Sequence, residues 1–167
     1  ALSCLKNRVF HSWEGGEGKV SEQFKFALFG LARKRLKEKK YTEAIKLLEQ
    51  TLVYPENLGE GKLPNVHDNQ AYYLLGRAYR GVSDWEKANK YFQLASEGEL
   101  TPGSVLYYND QPSDYIYFAG LAFAESGNDR LSKKAFNQLI SFGERHFFDE
   151  VEYDYFAVSL PEIEVYQ

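Results

Sequence analysis

A constant step of 44 residues is the feature that most restricts what this chain can fold into. Ala32, Gly76 and Gly120 stand one step apart, and so do Leu48, Phe92 and Phe136. Ala44, Ala88 and Ser132 keep a small residue in register, while Leu31, Leu75 and Ala119 keep an apolar one. Arg35, Tyr79 and Phe123 form the weakest row, because the arginine breaks its character. Three copies in register are hard to obtain by accident. A sequence of this kind buries its apolar faces by stacking each copy on the next.

The middle copy shows what the unit is. Tyr72, Leu75, Ala78 and Tyr79 recur at three- and four-residue steps, so one stripe of a helix is apolar. Gly81-Val82-Ser83-Asp84 breaks it, with Ser83 or Asp84 placed to cap the next helix by accepting an orphan backbone N–H. Ala88, Tyr91, Phe92 and Ala95 then line the inner stripe of a second helix. Gly76 in mid-helix costs roughly 1 kcal/mol relative to Ala. Close approach of the partner helix is the reason such a glycine calls for.

The spacing Tyr72-x2-Leu75-Gly76-x2-Tyr79 followed by Ala88-x3-Phe92 resembles the tetratricopeptide repeat, with Tyr72 where that family usually has Trp. The resemblance implies paired antiparallel helices A and B, and a fold that is all-α. The architecture expected is an α-solenoid of about three full repeats plus partial ends. The usual unit is about 34 residues, so the surplus lies in the B-to-A connections. The closing proline is missing at its usual place, and Thr101-Pro102 lies slightly later.

Taken in order, Ala1 to Phe10 set Leu2, Leu5 and Val9 on one helical face, as the tail of an earlier hairpin would. His11 to Gly18 break that pattern. Ser21 is expected to cap a helix carrying Phe24, Leu28, Leu31 and Arg35 to about Glu38. Arg33, Lys34, Arg35, Lys37, Lys39 and Lys40 make its end strongly basic, which complements the negative end of the helix dipole. Thr42 opens the next helix, with Ala44, Ile45, Leu47, Leu48 and Leu52 inside and Pro55 as its stop. The third pair is expected from Ser113 to Ser126 and from Asp129 to Phe142. Hairpins are thus placed at 21–54, 68–97 and 113–143 of a single domain, 1–167. After Phe147 both readings stay open: Val151, Tyr153 and Tyr155 alternate like a strand, while Tyr155, Val158 and Ser159 fit a helix.

Whole-chain quantities exclude several classes of function. At 167 residues and 19.3 kDa the chain is one domain-sized unit. A net charge of −4 with interspersed signs gives no support for nucleic acid as a partner. No apolar run approaches the ~20 residues of a membrane span. Cys4 is the only cysteine, which rules out an intramolecular disulfide and fits a reducing, cytoplasmic setting. The absence of methionine and an opening that reads as mid-helix lead to the expectation of a fragment of a longer protein.

Chemistry is sparse. Gly59-Glu60-Gly61-Lys62 lacks the earlier glycine and the hydroxyl residue of a phosphate loop, so an ordinary turn is expected. His11, His67 and His146 lack metal-ligand spacing, and His146 with Glu144, Asp149 and Glu150 reads as a solvated helix end. Cys4 lies on a helical stripe and reads as buried filler. No enzyme, cofactor or metal is expected of this chain.

FHSWEGGEG, YPENLGEGK, YYNDQPSDYIYFAGLA and DYFAVSLPEIEV, in this order, resemble the repeat region of large bacterial proteins. Those proteins join a sugar-mutarotase-like β-sandwich domain of unassigned function to tetratricopeptide repeats. That resemblance implies a carbohydrate-related parent and a scaffold role for the repeats.

Two candidate binding surfaces follow. In the tetratricopeptide geometry the A helices line the concave face. The register puts Phe29, Tyr73 and Tyr117 in one row, Arg33, Arg77 and Leu121 in a second, and Phe26, Gln70 and Asp114 in a third. Aromatic rings flanked by arginines suit an extended peptide or a neighbouring domain. The alternative is that the aromatics simply cover neighbouring helices. The long connections, Pro55 to Asp68 and Glu97 to Pro112, exceed the ~2–8 residues usual between helices. With the first connection they would bring Trp13, Glu14, Glu17, Glu56, Asn57, Tyr107, Tyr108, Asn109 and Asp110 to one edge. Such an edge suits docking of the β-sandwich domain, or a glycan-binding or glycan-processing site completed by the loops, as well as it suits loops packed on themselves. The leading expectation is a protein-binding or interdomain module.

Overall fold

The computed structural model describes residues 2–12, 18–63, 66–103 and 111–149. Seven α-helices and no strand are found among them: α1 (Leu2–Asn7), α2 (Lys19–Lys37), α3 (Tyr41–Glu49), α4 (Asn69–Gly81), α5 (Trp85–Ala95), α6 (Asp114–Glu125) and α7 (Asp129–His146). Helices α2 and α3, α4 and α5, and α6 and α7 form three antiparallel hairpins. Successive hairpins meet through α3 on α4, α5 on α6 and α4 on α6. The architecture is the all-α helical repeat expected from the 44-residue step.

Each hairpin turns in the same way. Lys39, Ser83 and Gly127, one step apart, all adopt the left-handed conformation at φ 59, 62 and 75°. Their N–H groups donate to Leu36, Arg80 and Ala124 at 3.1, 3.0 and 3.1 Å. The next residues, Lys40, Asp84 and Asn128, donate to Arg35, Tyr79 and Phe123 at 2.9, 3.0 and 2.8 Å. These paired bonds satisfy the orphan carbonyls at the end of each A helix in a Schellman motif. Lys40, Asp84 and Asn128 also stand at the N-cap of the following B helix. Asp84 accepts from the Lys87 amide at 3.1 Å and Asn128 from the Leu131 amide at 3.2 Å. Lys40 carries no acceptor and caps nothing. The first turn therefore forgoes a cap worth ~1 kcal/mol, and its left-handed lysine costs a further ~1 kcal/mol that Gly127 avoids.

The core interlocks small residues with large ones across each pair. A Cβ added at Gly76 would stand 2.6 Å from the Phe92 ring, and one at Gly120 would stand 2.7 Å from the Phe136 ring. The first hairpin reaches similar packing with Ala32 and Leu48, both fully buried. A methyl more on one helix is matched by a smaller side chain on the other. A second cluster, Phe24, Leu28 and Leu58, lies under the connections and takes in Leu2, Leu5 and Phe10.

Several local expectations are corrected. Helix α2 starts at Lys19, so Ser21 lies within its first turn; its one hydroxyl proton is shared between the Gly18 carbonyl, at 3.0 Å, and Glu60, and it does not cap. Leu31 is 40% exposed, whereas its counterparts Leu75 and Ala119 are buried. The inner stripe of α2 runs instead through Phe24, Leu28, Phe29 and Ala32. Helix α3 begins one residue before Thr42. Helix α1 stops at Asn7, leaving Val9 exposed, and Cys4 is exposed as well. The stretch 151–159, with its two readings, lies outside the described residues.

Candidate functional site

Register alone does not give the A-helix rows one environment. Phe29 and Tyr73 are buried, at 8% and 7% exposure, whereas Tyr117 is 48% exposed. Tyr73 is covered by the following A helix, its ring centroid 6.1 Å from that of Phe118, and it also meets Phe92 at 6.1 Å. Tyr117 contacts Phe118 and Phe136 at 5.5 and 5.9 Å, with no further hairpin among the described residues to cover it. Phe29 and Tyr73 are thus core residues, and burial raises the Tyr73 phenol against the opposing pull of Arg77. The face left to solvent carries Phe26, Arg33, Arg77, Asp114 and Tyr117, with Gln70 and Leu121 half-buried. The Arg77 guanidinium lies 6.0 Å from the Tyr73 ring centroid, so a buried aromatic supports an exposed charge.

The middle hairpin is the best specified. Gly76 accepts the Phe92 ring, Tyr72 and Tyr79 each stack on Tyr91 at 6.1 and 5.4 Å, and Ala78, Ala88 and Ala95 are fully buried. Residues 71–106 match the tetratricopeptide repeat. The match runs from the first turn of α4 through α5 into the connection that follows. No solved structure matches the chain. Two features of this tetratricopeptide unit tie it to its neighbours. Tyr79 donates to Glu49 of α3 at 3.1 Å, and burial together with that carboxylate pushes its phenol up to about 12. Arg80 pairs with Glu125 of α6 and lies 5.5 Å from the Phe92 ring centroid.

The connections are built from charge. Asp68, 4% exposed, takes Lys25 of α2 at 2.8 Å and also pairs with Lys62. Lys62 further donates to the Leu52 carbonyl at 2.9 Å. Glu60 accepts from the Gly18 amide at 3.1 Å and the Ser21 amide at 3.4 Å, and takes the Ser21 hydroxyl. A residue some 40 positions away thus supplies the N-cap that α2 lacks. Gly59-Glu60-Gly61-Lys62 is a structural turn, with Gly59 at φ 74° closing a short 3-10 helix, Glu56–Leu58. Tyr54 and Tyr115 border this cluster, and burial raises both phenols, with the Asp68 carboxylate adding to it.

Of the loop-edge residues, Glu56 is exposed and Asn57 is structural. The Asn57 amide donates to the Leu5 and Arg8 carbonyls, both at 2.8 Å, and so finishes α1. Its carbonyl accepts from the Phe10 amide at 2.8 Å. The first two connections therefore pack on each other. Trp13, Glu14, Glu17, Tyr107, Tyr108, Asn109 and Asp110 lie outside the described residues. Sequence reasoning missed Lys25, Glu60 and Asp68. A signal existed: Lys25 sits beside Phe24 on the inner stripe, and a cation at such a position calls for a buried carboxylate.

Among the described residues no His, Cys, Asp and Glu side chains are grouped as a metal site would need. At the end of α7, His146 contacts Asp149 and the Phe142 ring. No described helix is long and apolar enough to cross a membrane.

Proposed function

We propose that this chain is a protein-binding module that holds an extended polypeptide segment along the exposed A-helix face. Tetratricopeptide repeats generally serve protein–protein interaction, and residues 71–106 carry one. The observation that supports the surface is the pair Arg33 and Arg77. They are one repeat step apart, both exposed, and Arg77 is backed by a buried ring. A ligand segment with carboxylates facing the two guanidiniums gains charge-assisted hydrogen bonds, each worth about 1.5–3 kcal/mol. Phe26 on the first A helix and Tyr117 on the third, at 74% and 48% exposure, add apolar area in the neighbouring rows.

Panning a displayed library of short random peptides on the full chain tests this reading. Selected binders should lose roughly tenfold in affinity on Arg77→Ala and again on Arg33→Ala. Binders indifferent to both substitutions would place the ligand elsewhere.

A further inference from the structure

The three A-to-B turns share one backbone and differ sharply in charge. Residues 33–40 carry six cations, Arg33, Lys34, Arg35, Lys37, Lys39 and Lys40, against the single carboxylate Glu38. The equivalent window 77–84 has Arg77 and Arg80 against Asp84, and 121–128 has only Glu125. The formal charges are +5, +1 and −1. The dipole of α2 favours cations in its last turn, which accounts for Lys34, Arg35 and Lys37. It does not account for the next two. Lys39 is held left-handed, as Ser83 is, where Gly127 is relaxed, and Lys40 stands at the positive end of α3 where its counterparts are the capping residues Asp84 and Asn128. Local physics disfavours a lysine at both positions, and such departures concentrate where a surface serves binding.

Part of this charge is already matched: Arg35 bridges Glu38 and Glu43 at 2.8 and 2.9 Å, and Lys40 reaches Glu38 at 3.2 Å. Lys34, Lys37 and Lys39 are exposed, and among the described residues they have no ion pair. The Tyr41 ring, next to Lys40, packs against Gly81, which sets the second turn alongside the first. That neighbour exposes Val82 at 42% and Trp85 at 59%. Lys34, Lys37, Lys39 and Lys40 thus share one edge of the molecule with apolar side chains, while Arg33 of the same window belongs to the A-helix face.

We propose that this first turn docks an acidic segment of a polypeptide partner. The chain carries −4 overall, so everything outside residues 33–40 sums to −9. A broad anionic sheet such as a lipid surface would be repelled by that remainder, whereas a narrow acidic segment meets the cations alone. Trp85 and Val82 offer apolar contact to side chains interspersed among its carboxylates.

The test is fluorescence anisotropy of a labelled oligoglutamate peptide against the full chain. The double variant Lys39→Gly, Lys40→Asp combines the left-handed glycine of the third turn with the capping aspartate of the second. It is expected to melt at a higher temperature while binding the peptide roughly tenfold more weakly. Arg77→Ala should weaken this binding less than the double variant does, which separates the turn from the A-helix face; a larger loss at Arg77 would assign the peptide to that face and overturn the proposal. Unchanged peptide affinity in the double variant would overturn the proposal. So would binding of the parent chain to phosphatidylserine vesicles without binding to the peptide, which would assign the turn to a membrane.

Discussion

Phe92 and Phe136 occupy the same place in consecutive hairpins, each ring pressed on a glycine of the partner helix at nearly the same distance. Phe92 is 2% exposed, while Phe136 is half-buried, and Tyr73 and Tyr117 differ in the same sense. The difference separates two sources of order. Fit within a hairpin is set locally by the small–large pairing and the shared turn. Exclusion of water is set by the next hairpin, which covers α4 and α5 but has no equivalent over α6 and α7 among the described residues. In a stacked molecule these contributions are additive to a first approximation, as intrinsic and interfacial terms.

Four measurements would sharpen or break that contrast. Phe92→Ala is expected to cost about 3–5 kcal/mol, and Phe136→Ala roughly half as much, because less of its ring leaves water on folding. Urea denaturation of both variants checks this, and equal losses would erase the distinction. Asp68→Ala should cost about 3 kcal/mol by leaving Lys25 buried without a partner. The third hairpin has Pro112 at the corresponding position, so Pro112→Ala should shift the midpoint far less.

Tyr79 provides a pH test. Its neutral form is favoured in the folded chain, with a value raised from the usual 10 to about 12. Stability from this group is therefore complete below pH ~10 and is lost as pH rises toward ~12, by about 2 kcal/mol. Tyr79→Phe should flatten the alkaline limb, since the third hairpin already has Phe123 there. A limb unaltered by the substitution would transfer the effect to other buried phenols. The smallest contrast is Gly76→Ala against Gly120→Ala. The added methyl overlaps either ring, but the half-buried Phe136 can yield where the enclosed Phe92 cannot. Gly76→Ala should destabilise by about 1 kcal/mol net of its helix-propensity gain, and Gly120→Ala should be near neutral.

The hairpins were legible in the sequence because their determinants are local. Gly76 with Phe92, the break at Gly81 to Asp84, and the inner alanines all act within one pair of helices. The environment of the A-helix rows was not legible to the same degree. The step of 44 places Phe29, Tyr73 and Tyr117 in line, but burial depends on what lies beyond each. Leu31 shows the same limit: it fits the apolar row by position, yet Phe29 and Ala32 are the buried residues of that part of α2 and Leu31 is 40% exposed. The charged connections escaped because Lys25 meets Asp68, and Glu60 meets Gly18 and Ser21, across some 40 residues of chain. Local spacing carries no trace of such pairings, apart from one cation on an apolar stripe.

The carboxylate of Glu60 has a consequence for how the molecule comes into being. The opening amides of α2 are quenched by a group that follows them by 42 and 39 residues. During synthesis from the N-terminus, the first long helix must wait for the second connection to emerge before its leading turn is secured. A chain cut short before that glutamate would fray at Gly18, however well its remaining turns were wound.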